Sequence, residues 1–191
     1  MGSLINISTQ IFRKPQYLLL LAEGDFGGPP FGRGSRVGKA LLREALVQAG
    51  IFQAEPLFAT GFNGKPLLAN YPLWHFNITH CDLAVACVLS QKETGIDAEV
   101  IRPEHLDLVP HVLNSAEQQQ VLQSDNPPQE FCRLWTRKES LLKCTGEGLR
   151  DDMRHVLETN SFGVPVEDYA AFEAYHGEGY EMCVCLKNDK N

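Results

Sequence analysis

Apolar positions in this chain fall into two kinds of run. Tyr17-Leu18-Leu19-Leu20-Leu21-Ala22 and Leu83 to Ser90 are almost continuously apolar, the pattern of strands covered on both faces. Trp74 to His80 and Gly95 to Val100 alternate instead. Phe76, Ile78 and His80 share one side of the first, and Ile96, Ala98 and Val100 share one side of the second, as a period of two requires. Residues 4–22 hold one or two strands, and Phe172 to Tyr175 and Tyr180 to Leu186 predict the closing ones. Helical spacing shows elsewhere. Phe131, Leu134, Trp135, Leu141 and Leu142 recur at the period of a helix, in a stretch dominated by Leu, Arg, Lys and Glu. Pro127 and Pro128 suit its start, with Asn126 or Asp125 as cap, and Gly146 and Gly148 suit its exit. A helix over Arg36 to about Ala49 is predicted with Ser35 as cap and Gly50 as stop. It buries Val37, Leu41 and Ala45, or their neighbours Leu42 and Leu46. Ser115-Ala116-Glu117-Gln118 reads as a capping box opening a helix to about Gln123. Gly24 to Gly34 reads as a loop, Gly61 to Pro66 as a turn, and Lys187 to Asn191 as a frayed end.

Composition narrows the class. With 191 residues, 43% hydrophobic and 21% charged, the chain is long enough for one domain or two small halves and is not disordered in type. The net charge of -7 opposes general nucleic-acid binding but leaves room for a local anion site. Six cysteines, none in a C-x-x-C pair, point to free thiols rather than to zinc or a disulfide framework. No apolar run approaches the length that spans a bilayer, and residues 1–16 lack the order of a signal peptide. A cytoplasmic protein without membrane attachment is expected.

Three clusters could carry chemistry. Arg33, Arg36 and Lys39 lie at a helix start, where free backbone N–H groups also favour an anion; the alternative is simple solubility. Asp97 and Glu99 alternate on a strand and point to one side, about 6.6 Å apart at the backbone. Their repulsion is about 0.6 kcal/mol facing water and about 2.5 kcal/mol facing a cleft of effective dielectric near 20. A divalent cation reverses its sign, and oxygen-only ligands suit Mg²⁺; the alternative is a half-exposed strand with an acidic outer side. Glu139 and Lys143 are one helical turn apart, and as a plain surface pair they stabilise the helix by only about 0.3 kcal/mol. His80 closes one strand at the turn before the next, and Lys65 sits on stiff backbone between Gly64 and Pro66.

Taken together, Gly95-Ile96-Asp97-Ala98-Glu99 and Trp135-Thr136-Arg137-Lys138-Glu139-Ser140-Leu141-Leu142-Lys143, with Phe76-Asn77-Ile78-Thr79-His80 and Gly64-Lys65-Pro66 upstream, resemble the signature motifs of the 4'-phosphopantetheinyl transferase superfamily. The likeness runs in order from about residue 33 to Leu149. It is nearest the monomeric, pseudo-duplicated branch, in the form of a compact holo-acyl-carrier-protein synthase. The resemblance implies an α+β fold of two similar halves, 1–92 and 93–191, packed as a pseudo-dimer with the active site in the cleft between them. It implies transfer of the phosphopantetheine arm of coenzyme A to a serine of an apo acyl or peptidyl carrier protein, with release of 3',5'-ADP. By the same resemblance Asp97, Glu99 and Glu139 hold Mg²⁺ or Mn²⁺, and Glu139 accepts the serine proton. Lys143 binds phosphate, and Lys65, Thr79 and His80 belong to the coenzyme A site. The family's arginine four residues before the glycine matching Gly38 is here Gly34, so Arg33 or Arg36 takes that role. In the upstream motif Thr79 stands where the family often has serine, which keeps the hydroxyl.

Two other readings compete. A Mg²⁺-dependent nuclease also combines acids with a Glu-Lys element, but it wants that element on a strand with the two residues two apart. A non-catalytic carrier-binding module is the other. If the partner is an acidic carrier, Arg133, Arg137, Arg150 and Arg154 are the cations expected to steer it. Whether that carrier serves fatty-acid, polyketide or peptide synthesis is not written in these motifs.

Overall fold

The computed structural model describes residues 7–27, 32–148, 150, 152–160 and 163–189. The chain is a mixture of helices and antiparallel sheets. Strands β1 (Ser8–Arg13), β2 (Tyr17–Glu23), β5 (His75–His80) and β6 (Ala84–Ser90) form one sheet in the order β1-β2-β6-β5. Strands β7 (Thr94–Val100), β8 (Ala170–Gly177) and β9 (Tyr180–Lys187) form a second in the order β7-β9-β8, and β3 (Phe58–Thr60) pairs with β4 (Pro66–Leu68) as a separate hairpin. Among the described residues five α-helices accompany them: α1 (Arg33–Gln48), α2 (Val109–Val112), α3 (Ser115–Gln123), α4 (Pro127–Thr145) and α5 (Val166–Tyr169).

The continuous apolar runs have a direct cause. Leu18, Leu20 and Ala22 of β2 and Val85, Cys87 and Leu89 of β6 pack against Leu41, Leu42, Ala45 and Leu46 of α1. The alternate residues Tyr17, Leu19, Leu21, Ala84, Ala86 and Val88 meet Ile96, Ala98, Met182 and Val184 of the second sheet. Both faces of the first sheet's centre are therefore covered, so neither face needs polar residues. On the far side of the second sheet lies α4, whose Phe131, Leu134, Leu141 and Leu142 join Cys185 in a third apolar cluster. Each fully buried Leu or Phe in these layers contributes about 1.5–3 kcal/mol.

The helix ends show where pattern reading slipped. Asn126 accepts from the Gln129 N–H and Gly146 closes α4 at φ 75°, as expected of those residues. Helix α1 starts three residues earlier than Arg36: its cap is Gly32 in a left-handed conformation, without a side-chain bond, and Ser35 lies inside the helix. The capping box of α3 uses Asn114 and Glu117, one position before Ser115 and Gln118. Within the predicted loop over 24–34, residues 28–31 lie outside the described residues. At the chain end Lys187 completes β9 and the Asn188 N–H donates to Tyr169 O, so those two residues are held, while 190 and 191 lie outside the described residues.

Lys138 is a cost that the core has accepted for a purpose. It is 0% exposed, and its ammonium donates to Glu117 Oε2 at 2.8 Å, Met153 O at 2.9 Å and Arg154 O at 3.1 Å. Burial lowers its pKa, and the bond to Glu117 opposes that shift. The lysine thereby ties α3, α4 and the 153–154 turn to one point. Lys138→Ala should destabilise the fold by about 3–5 kcal/mol, because Glu117 and two carbonyls lose their partner in a dry site. A denaturant melt within 1 kcal/mol of the wild type would show that this tie is unimportant.

Candidate active site

Strand β7 and helix α4 bring the acidic residues together. Ile96 and Ala98 enter the core between the sheets, which turns Asp97 and Glu99 to the opposite face, towards α4. Asp97 is 3% exposed. Its Oδ1 accepts from Lys143 Nζ at 2.5 Å and from Thr79 Oγ1 at 3.5 Å. Burial raises the Asp97 pKa, and Lys143 opposes the rise. Burial is also the main cause that pushes Glu99 up to about 7, with the Asp97 charge second; the indole of Trp135 pulls the other way. Glu139 is raised by burial and then by Asp97. The three carboxyl groups therefore feel one another, with the single ammonium of Lys143 among them.

Asp97 Oδ2 and Glu139 Oε1 are buried without any hydrogen-bond partner. An orphaned buried carboxylate oxygen is expensive, and carboxylate oxygens are the ligands that a hard cation takes. As the side chains stand, no three His, Cys, Asp or Glu groups among the described residues converge on one ion position. Lys143 lies against Asp97 instead and supplies positive charge there. Its place is on the carboxylate, not on Glu139 one turn away.

The neighbouring strand holds this arrangement in position. Strand β5 runs beside β7 without forming a backbone ladder. Asn77 Oδ1 accepts from the Ile96 N–H at 2.9 Å, and Thr79 Oγ1 accepts from the Ala98 N–H at 3.1 Å. Two buried edge N–H groups are thus satisfied by side chains, and the two sheets are joined across Asp97. Asn77 was missed by pattern reading as a site residue. The available signal was a pair of polar residues, two apart, on the non-core side of a strand. Thr79 likewise serves β7 and Asp97, and it does not line the pocket beside His80.

Two pockets hold the remaining candidate residues, and Glu139 lines one of them. One, of about 290 Å³, is lined by Asn63, Lys65, Asn77, Glu139 and Lys143 among others. Lys65 reaches inward from its rim: its ammonium donates to Cys144 O at 2.7 Å and Thr94 O at 3.3 Å, and burial lowers its pKa. It satisfies a carbonyl at the C-terminal end of α4, a favourable place for a cation. The second pocket, of about 240 Å³, lies at the start of α1 and is lined by Gly32, Arg33, Gly34, Ser35 and His80 among others, with one carboxylate, Asp82, which is paired with Arg102. A Cβ on Gly34 would stand 2.8 Å from His80 Cγ, so the glycine lets the imidazole approach the helix end. No acidic residue occupies the first turn of α1, and Arg36 stands exposed beside it. Arg33 donates to Asp25 O at 2.6 Å.

Comparison with known proteins shows the family. The sequence model of the 4'-phosphopantetheinyl transferase superfamily matches residues 93–189, the span that holds β7, α4 and all three acids. The chain belongs to the 4'-phosphopantetheinyl transferase superfamily. A 4'-phosphopantetheinyl transferase of Bacillus subtilis is 32% identical over 77% of this chain and 64% of its own length. The 4'-phosphopantetheinyl transferase psf-1 of Bacillus pumilus is 32% identical over 81% of this chain and 71% of its own. The 4'-phosphopantetheinyl transferase Sfp of Bacillus subtilis strain 168 is 33% identical over 58% and 53%. The chain thus spans between about half and seven-tenths of the length of these relatives. Among the described residues no helix is long and apolar enough to cross a membrane, and all six cysteines of the superfamily member are free.

Proposed function

We propose that this protein transfers the 4'-phosphopantetheine arm of coenzyme A to a serine of an apo acyl or peptidyl carrier protein, giving the holo carrier and 3',5'-ADP. The observation that carries the reading is the pair of orphaned carboxylate oxygens on Asp97 and Glu139, placed by the two motifs that define the family. Asp97, Glu99 and Glu139 would hold Mg²⁺ or Mn²⁺. Bound there, the ion would supply charge neutralisation for the coenzyme A diphosphate, which phosphoryl-type transfer needs more than covalent catalysis.

The chain's own residues do the rest. Glu139 lines the pocket beside Lys143 and is the carboxylate that takes up the proton of the incoming serine. Lys143 neutralises Asp97 and would be free to bind phosphate were Asp97 to hold a cation. His80, with Arg33 or Arg36, receives the phosphate at the adenosine end in the pocket at the start of α1. Lys65 acts on that site indirectly, by holding the hairpin tip against α4. Residues 1–92 and 93–191 act as the two halves of a monomer, with the site between them, in the cytoplasm.

Incubation with coenzyme A, Mg²⁺ and a panel of apo acyl and peptidyl carriers tests this. A carrier that gains the mass of one phosphopantetheine arm supports transfer. Capture of a carrier without mass gain would favour the non-catalytic module. DNA cleavage with no such gain would favour the nuclease, against which Lys138 counts, being fully buried and bound to Glu117 rather than free for a reacting phosphate.

A further inference from the structure

Five of the ten large apolar side chains that stand exposed among the described residues lie between Leu57 and Leu73, so exposure of this kind is concentrated on one small feature. Three of the five, Phe58, Phe62 and Leu67, lie in the β3–β4 hairpin, and Leu57 immediately precedes it. Phe62, at its tip, is 73% exposed; Leu57, Phe58 and Leu67 are 62%, 49% and 40% exposed. A Cβ on Gly61 would lie 3.0 Å from Leu67 Cδ1, which places Leu67 against the backbone that leads into Phe62. Exposed apolar groups gathered this way mark a contact surface more often than chance.

The tip is fastened, not loose. Asn63 adopts a positive φ of 47°, and its Nδ2 donates to Glu147 O at 2.9 Å. Lys65 buries its ammonium on the carbonyls of Thr94 and Cys144. The Gly61 N–H donates to Lys65 O at 2.8 Å and the Lys65 N–H to Phe62 O at 3.1 Å. A strained asparagine and a buried lysine both cost free energy, and what they secure is an apolar tip against the end of α4. Asn63, Gly64, Lys65 and Pro66 line the same pocket as Glu139 and Lys143.

We infer that the β3–β4 hairpin is the apolar part of the docking surface for the apo carrier protein, with Phe62 and Leu67 as its anchors. The inference rests on the transferase reading above. Continuity with the pocket identifies the occupant: a folded protein that delivers a serine hydroxyl to Glu139 must lie on the rim of that pocket, and the hairpin supplies four of its lining residues, Asn63, Gly64, Lys65 and Pro66. The charged alternative is weaker than the sequence suggests. Arg133 is paired with Glu130, Arg150 with Glu147 and Arg154 with Asp152, and Arg137 lies over the Phe172 ring at 4.4 Å. Three of the four cations expected to steer an acidic carrier are already neutralised by their own neighbours.

Phe62→Ser and Leu67→Ser are compared with the wild type in steady-state transfer to a carrier that the wild type modifies. Leu122→Ser serves as a control, since Leu122 is 75% exposed and lies outside the hairpin, on α3. Each hairpin variant should raise KM for the carrier about tenfold, equivalent to about 1.4 kcal/mol, with KM for coenzyme A and the melting temperature unchanged. The control should leave both constants as they are. Carrier KM within twofold of the wild type in both hairpin variants would overturn the inference while leaving the transferase reading intact. So would dimerisation of the wild type that Phe62→Ser abolishes without changing carrier KM, because the patch would then cover a second copy. Failure of the wild type to modify any carrier in the panel would remove the reading and the inference together.

Discussion

Asp97→Ala should lower the rate of phosphopantetheine transfer about a thousandfold or more, as loss of a main electrostatic group at a phosphoryl-type centre does, and should leave the protein folded. Asp97 is buried and accepts from Lys143 and Thr79, so its removal could be feared to unfold the site. Three features argue otherwise. Its Oδ2 has no partner to lose. Lys143 is 32% exposed and can turn its ammonium to water. The Asp97 charge is one of the causes that raise both Glu99 and Glu139, so its loss relieves repulsion between like charges. In the absence of metal the variant should therefore melt at or slightly above the wild-type temperature. Added Mg²⁺ at a hundred times its dissociation constant should stabilise the wild type by about 2.7 kcal/mol and the variant hardly at all. A variant that keeps both the Mg²⁺-induced rise in melting temperature and the transfer rate would take Asp97 out of the site.

Gly95→Ala should lower stability and activity together. A Cβ at residue 95 would lie 2.1 Å from Ser140 O and 2.4 Å from Cys144 N. Both are backbone atoms of α4, so no rotamer change can make room. Overpacking commonly costs 1–3 kcal/mol and sometimes more, and contacts this short to a helix backbone should give about 3 kcal/mol or above. The damage reaches the chemistry as well. Strand β7 carries Asp97 and Glu99, and α4 carries Glu139 and Lys143. Moving the helix off the strand separates the acids. Urea unfolding and transfer assays should show both losses together. Wild-type stability in Gly95→Ala would mean that β7 and α4 are not packed as closely as described.

The glycine also shows why parts of the site could be read in advance and parts could not. Gly95 stands in the motif that suggested the family, yet a glycine in a run of residues does not reveal which backbone passes over it. Spacing placed Asp97, Glu99, Glu139 and Lys143 on faces of a strand and a helix, and the family resemblance made them legible as candidate site residues. Asn77 and Trp135 were not. The first reads as a polar residue on a half-buried strand and the second as part of an apolar stripe, and their site roles exist only because β5 lies beside β7 and α4 crosses Glu99. Lys65 and Thr79 carry the same lesson in reverse. Both stand in the right motifs, but Lys65 is bound to the end of α4 and Thr79 to the edge of β7.

Local pattern alone determined the long strands, the helices α1, α3 and α4 to within a few residues, and the residue types able to hold a cation and a phosphate; the short elements β3, α2 and α5 escaped it. Periodicity and capping chemistry act over a few residues, and those few residues are all present in the written order. Tertiary packing decided which distant groups became partners: Lys143 with Asp97, Lys138 with Glu117, the Lys65 ammonium with the Cys144 carbonyl. Such pairings depend on distances between elements far apart in the chain, and those distances are set by how the two sheets and α4 fill space against one another, which no short window of sequence contains.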